Sequence, residues 1–238
     1  MIKPSPLLTV LITGASRGIG LEFAHGYAAR GWNVIATCRQ PETAESLQNL
    51  ARRQQNFVIE KLDVLDHARI DFLAKQYEGS PIDLLINNAG ISGGFENQVF
   101  GSINYANYEA VLATNFIAPL KMAEAFIDHV AQSEWKKIIS ISSMPSSIGL
   151  TSGGQYIDRP SKASLNMVMR TLAMDVAKRG IIVGLVAPGL VDTDLTRELD
   201  FPKISTEESV GAVIDLIEAF SIETSGTLIQ NTGEELPW

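Results

Sequence analysis

The sequence predicts an α/β domain, a doubly wound parallel sheet covered by helices on both faces. Three observations carry the prediction. Short apolar, β-rich runs alternate with longer helical patterns along the whole chain. A glycine-rich turn joins the first such run to the first helical stretch, and the longest irregular stretches, 87–106, 142–157 and 187–205, each follow an apolar run. Loops placed in that way gather at the carboxyl edge of a parallel sheet, where open α/β folds bind ligands.

In chain order, a strand near 7–12 leads into a helix near 18–30, a strand near 33–37 into a helix near 42–53, and a strand near 56–60 into a helix near 66–78. The second half repeats the alternation with strands near 82–86, 136–141 and 181–186, helices near 107–130, 159–179 and 206–222, and a last strand near 226–229. With 238 residues, 45% hydrophobic and 19% charged, the composition fits one domain over 1–238 built on one substantial core. The net charge of −8 argues against broad attraction to nucleic acid or to an anionic membrane. No apolar run approaches the roughly 18 residues of a membrane span, so no membrane partner is expected. Cys38 is the single cysteine, which excludes an intrachain disulfide framework and any cysteine-cluster metal site and fits a reducing cytoplasm. His25, His67 and His129 are far apart in helical stretches, and no metal is expected.

Between the first strand and first helix stands Thr13-Gly14-Ala15-Ser16-Arg17-Gly18-Ile19-Gly20. Glycines at this spacing allow a tight turn and close backbone approach, so that amides at a helix N-terminus can receive a dinucleotide's pyrophosphate. A plain strand–helix turn is the plainer alternative.

These residues resemble the opening of the short-chain dehydrogenase/reductase family, Thr-Gly-x-x-x-Gly-x-Gly, and the resemblance covers nearly the whole chain. Asn87-Asn88-Ala89-Gly90 is similar to the family's segment after the fourth strand, Asn115 to its helix asparagine, and Pro188-Gly189 with Thr193 to its Pro-Gly…Thr segment. The ending Gly233 to Trp238, with Cys38-Arg39, resembles the C-factor-like branch. The resemblance implies a Rossmann-type fold, hydride transfer between a nicotinamide and a carbonyl or alcohol, and a cofactor site holding Gly14, Ser16, Arg17, Gly18, Ile19, Gly20, Asp63, Val64, Asn88, Ala89, Gly90, Lys162, Pro188, Gly189 and Thr193.

Arg39 stands nineteen residues after Gly20, where an NAD-preferring domain usually presents an acid to the adenosine ribose. A guanidinium matches a 2′-phosphate in charge and geometry, so Arg39 and Arg17 point to NADP(H). Two solvated surface arginines are the plainer reading. Asp63 resembles the family's adenine-contacting acid, its alternative role being to cap the following helix.

The catalytic pattern departs from the family. Relatives place a Tyr four residues before the Lys, because residues i and i+4 share a helix face and an ammonium holds down a phenol's pKa. In Gln155-Tyr156-Ile157-Asp158-Arg159-Pro160-Ser161-Lys162-Ala163, the lysine is Lys162 and the residue four before it is Asp158. Three readings stand. Asp158 caps the helix by accepting the Ser161 N–H. Alternatively Tyr156, thirteen residues after the carbonyl-orienting Ser143, takes the proton-transfer role through an irregular helix entry before Pro160. In the third, the scaffold is repurposed, either for a lyase, isomerase or cyclase reaction with Asp158 as acid or base, or for NADP(H) sensing without catalysis. Asn115, Ser143, Tyr156, Asp158 and Lys162 are therefore the candidate catalytic set.

Phe95, Phe100, Met144, Leu150, Leu190, Leu195 and Phe201 lie in the three long loops and suggest a small-molecule substrate with an apolar part. Met167, Val168, Met169 and Leu172 give one helix apolar residues on more than one face, and the resemblance implies a homodimer or homotetramer through this helix and the one near 107–130.

Overall fold

The computed structural model describes residues 7–238. Seven parallel strands form one sheet: β1 (Thr9–Ile12), β2 (Asn33–Cys38), β3 (Phe57–Lys61), β4 (Leu84–Asn87), β5 (Lys137–Ile141), β6 (Ile182–Ala187) and β7 (Leu228–Gln230), in the order β3-β2-β1-β4-β5-β6-β7. The order reverses direction between β1 and β4, which opens a crevice at their carboxyl ends.

Alternation along the strands divides the core into two layers. Leu11 and Ile138 face one layer with Leu73, Phe126 and Met169, whereas Val10, Ile12 and Ile139 face the other with Phe23, Tyr27, Val213 and Ile217. The first layer is supplied by α3 (His67–Gln76), α5 (Ala118–Ala131) and α6 (Asp158–Val176), and the second by α1 (Gly18–Ala29), α2 (Glu45–Ala51) and α7 (Thr206–Ala219), while α4 (Tyr105–Leu112) leads into α5.

The fold class is as expected, with local differences that have physical causes. The helix expected near 42–53 is shortened to Glu45–Ala51, because Pro41 opens a separate 3₁₀ turn, Pro41–Thr43. The single helix expected near 107–130 is interrupted by a π turn, Ala113–Ile117, in which the Ala118 N–H reaches back to the Ala113 carbonyl. Pro119 has no N–H to offer the Asn115 carbonyl, so the α register yields there. By length and composition this continuous stretch, Tyr105–Ala131, is long and apolar enough to cross a membrane, contrary to the sequence expectation. Its buried residues Ala118, Met122, Phe126 and Val130 nevertheless pack against the sheet as core.

Candidate active site

Thr13 ends β1 and ties the glycine-rich turn to the neighbouring strand. Its Oγ1 accepts the Asn88 and Ala89 N–H groups at 3.0 and 3.1 Å, and Asn88 Nδ2 donates to the Thr13 carbonyl at 2.9 Å. The turn then leaves no room for side chains. Gly14 has φ +68°, and a Cβ there would lie 2.9 Å from Ala89 Cα; a Cβ on Gly20 would overlap the Gly14 carbonyl. Arg17, the residue before α1, supplies no side-chain cap, and the first turn of α1 holds no acid. Amides in the first turn of α1 thus face the cradle formed by Gly14, Ser16, Gly18 and Ile19, an arrangement suited to an anion such as a pyrophosphate. The residues present fit a dinucleotide.

Asn88, Ala89 and Gly90 line up beside this cradle, and Gly90 opens toward the catalytic side: a Cβ on it would lie 3.3 Å from Asn115 Oδ1 and 3.6 Å from Lys162 Nζ. Asn115 sits in the π turn with its side chain fully engaged, accepting the Ile91 N–H at 2.9 Å and donating to the Ile91 carbonyl at 2.9 Å and to Ser161 Oγ at 3.0 Å. Lys162 Nζ donates to the Ile141 carbonyl at 2.8 Å. Gly189, Pro188 and Thr193 follow β6, and Thr193 Cγ2 stands 3.4 Å from the position of a Gly18 Cβ, closing the cleft over the turn. Asp63 and Val64 follow β3, in the loop that also leads to α3. The capping role weighed for Asp63 falls instead to Asp66, which accepts the Arg69 N–H at 2.9 Å, because Asp63 closes a tighter turn by accepting the Leu65 N–H at 3.0 Å.

Around Lys162 the helix is regular from Asp158 onward, so Asp158 stays on the Lys162 face. It does not cap the helix: the Ser161 N–H goes to the Ile157 carbonyl, and Asp158 is already inside the first turn. The cap comes from Gln98, whose Oε1 accepts the Asp158 N–H at 2.8 Å and the Ile157 N–H at 3.3 Å. Burial pushes the Asp158 carboxyl above the usual carboxylate range, against the opposing pull of Lys162 and Arg159. Burial likewise pushes the Lys162 ammonium down, with Asp158 opposing.

Tyr156 lies outside the helix, two residues before it and just after Gln155, whose φ is +52°. Only the residues before Asp158 are irregular, and the helix runs regularly through Pro160, so the irregular entry expected before Pro160 is confined to 155–157. The ring is 41% exposed and packs on Phe100 with centroids 5.6 Å apart. Ser143 follows β5, and its buried Oγ has no hydrogen-bond partner. Its backbone is fixed by neighbours: Ser146 Oγ donates to the Ser143 carbonyl, and Asn166 Nδ2 donates to Ser146 Oγ at 2.8 Å while Asn166 Oδ1 accepts from Ser142 Oγ at 2.7 Å.

Sequence reading passed over Gln98 and Asn166. Asn166 stands four residues after Lys162 on the same helix face, a spacing that offered a signal. Gln98 offered none, since the amides it caps lie some sixty residues away.

Comparison with known proteins places this geometry. Residues 8–203 match the model of the short chain dehydrogenase family. The chain is 32% identical over 191 residues to a 3-oxoacyl-[acyl-carrier-protein] reductase of Escherichia coli, covering 79% of this chain and 75% of that protein. It is 31% identical over 159 residues to the C-signal protein of Myxococcus xanthus, covering 66% of this chain and 93% of that one. The crystal structure of an NADPH-bound carbonyl reductase from chicken fatty liver superposes with a TM-score of 0.89 at 34% identity, over 98% of this chain and 99% of that one. A match from the first strand to beyond the sixth, on a backbone shared almost end to end, makes this chain a member of the short chain dehydrogenase family.

Proposed function

We propose that the chain is an NADP(H)-dependent oxidoreductase that interconverts a carbonyl and an alcohol, with Asp158 in the proton-transfer position. The observation that carries it is Asp158 itself: a half-buried carboxyl, its pKa raised by partial desolvation, on the Lys162 face of α6. The similar chicken carbonyl reductase, described as NADPH-bound, supports the cofactor, as does the absence of an acid at Arg39.

Bound NADPH supplies the hydride. Ser143 Oγ, buried and unpartnered, donates to the carbonyl oxygen and orients it. Lys162 would hold the ribose of a bound cofactor and would keep positive charge beside the oxygen on which negative charge grows. Asp158 in its protonated form gives up the proton. A carboxyl ends short of where a phenol would reach, so the proton crosses one water. Asn115, locked by Ile91 and Ser161, holds the helix turn that flanks Lys162. Phe100, Met144, Leu195 and Phe201, all exposed in the loops that follow β4, β5 and β6, suit a substrate with an apolar part. Tyr156 packs at a tilt against Phe100.

The shortfall in reach also favours a second reading, a non-redox reaction with Asp158 as base. One comparison tests both. Under the reductase reading Asp158→Asn lowers NADPH oxidation by about 10²–10⁴-fold and Tyr156→Phe changes it little. Wild-type reduction also slows as pH rises past the Asp158 pKa, since only the protonated carboxyl donates. The reverse ranking of the two variants would return proton transfer to Tyr156. Turnover that leaves the nicotinamide oxidation state unchanged would establish the non-redox reading.

A homodimer or homotetramer in a reducing cytoplasm completes the proposal. Met167 and Met174, seven residues apart on one face of α6 and both largely exposed, support self-association, and the lone buried Cys38 supports the compartment.

A further inference from the structure

Two side chains on successive turns of α6 hold the end of β5 that leads to Ser143. Lys162 Nζ donates to the Ile141 carbonyl, and Asn166, one turn further on, engages Ser142 and Ser146 on either side of Ser143. Asn166, Ser142 and Ser146 are all buried.

The bonds among these three residues run one way. The Ser142 hydroxyl donates to Asn166 Oδ1 at 2.7 Å, Asn166 Nδ2 donates to Ser146 Oγ at 2.8 Å, and the Ser146 hydroxyl donates to the Ser143 carbonyl. A hydroxyl has one proton to give, so turning the amide over would draw the Ser146 proton onto Asn166 and take it from Ser143. The chain therefore ends on the Ser143 peptide, whose carbonyl also accepts the Ser146 N–H at 3.1 Å. Ser143 is extended, with φ −159° and ψ 154°. With its peptide pinned, only the side-chain torsion is left to aim Oγ, which has no partner of its own.

We propose that Ser146 is a positioning residue for carbonyl reduction: its hydroxyl, with its proton directed by Asn166, pins the Ser143 peptide and so aims Ser143 Oγ at the carbonyl oxygen. The proposal rests on the reading of Ser143 given above. Asp158, Lys162 and Asn166 fall on successive turns of one helix, so the proton donor, the cation and the brace behind the orienting serine are carried by one rigid element. A small displacement of Ser143 Oγ misaligns it with the oxygen and leaves the dinucleotide cradle untouched.

NADPH-dependent reduction of phenanthrenequinone, an activated apolar diketone, by the full chain tests this. Ser146→Ala should lower kcat roughly tenfold, the weight of one hydrogen bond, and leave NADPH affinity within about twofold. In a Ser143→Ala background the same substitution should cost nothing further, because the group it aims is gone. Asn166→Asp, whose carboxylate draws both serine protons, should match Ser146→Ala. Asn166→Ala should be milder, because Ser142 Oγ lies 3.2 Å from Ser146 Oγ and can donate in the amide's place. A cluster that serves packing alone would make Asn166→Ala the most damaging of the three and would cost as much without the Ser143 hydroxyl as with it. Either result overturns the assignment of Ser146 and leaves the role of Ser143 standing. If Ser143→Ala leaves kcat unchanged, or the unaltered chain does not reduce the diketone, the reading of Ser143 falls and the proposal falls with it.

Discussion

Asp158 replaces a phenol by a carboxyl in a site that shields charge, and the replacement has a consequence for stability. Burial raises its folded-state pKa above the ordinary value of about 3.9. Between these two values the folded protein holds a proton that the unfolded chain has released. Stability is therefore fully present below the ordinary value and declines as pH rises through the folded pKa. Lys162, pushed down by burial, acts with the opposite sign toward alkaline pH. Asp158→Asn should then melt higher than wild type at pH 7–8, with the gain shrinking toward pH 4. Thermal melts across that range check it, and a gain that grows toward acid would contradict a half-buried carboxyl of raised pKa.

At the scale of elements, the start of α6 depends on a side chain from another loop. Gln98 is buried, anchors its amide on the Ser92 carbonyl at 2.8 Å, and turns its oxygen onto the Ile157 and Asp158 amides. Gln98→Ala should cost about 1–2 kcal/mol in denaturant melts, the usual range for a lost cap with buried donors left unpaired. Because the cap fixes where α6 begins, the same variant should lower kcat more than it weakens NADPH. Gln98→Glu, which keeps the accepting oxygen, should recover part of both. This element also shows how far the sequence was legible. The strands and helices were readable because buried strands and amphipathic helices impose local periods, and the i, i+4 rule placed Asp158 beside Lys162 correctly. The π turn at Ala113–Ile117 was not, since a helical period continues through it and only Pro119 marks the break. Gln98 and Asp194 draw their roles from partners distant in the chain, so no local pattern announces them. Arg17 was read from the sequence as a partner of the 2′-phosphate beside Arg39, whereas its pairing with Asp194 is a product of the folded loops.

For the whole molecule, the crevice proposed for the dinucleotide is the seam between two halves of one sheet. The turn after β1, the Asn88–Gly90 segment after β4 and the Pro188–Thr193 segment after β6 converge on it, and Thr13 and Gly14 join the first two through hydrogen bonds to Asn88 and Ala89. A dinucleotide lying across the seam binds the folded chain and has no comparable site on the unfolded one, so its affinity adds to global stability. At a hundredfold excess over Kd the gain is about 2.7 kcal/mol. For a chain of this length each kcal/mol raises Tm by roughly 2–4 °C, so NADPH should shift the melt by about 5–10 °C. NADH at the same concentration should shift it less. Gly14→Ala provides the control: a Cβ there meets Ala89 Cα at 2.9 Å and must adopt φ +68°, which disturbs the cradle. That variant will melt lower without ligand for reasons of strain alone, and the informative quantity is the ligand-induced shift, which should nearly vanish. A full NADPH shift in Gly14→Ala would mean that the dinucleotide is held away from the glycine-rich turn and that the crevice is not its site.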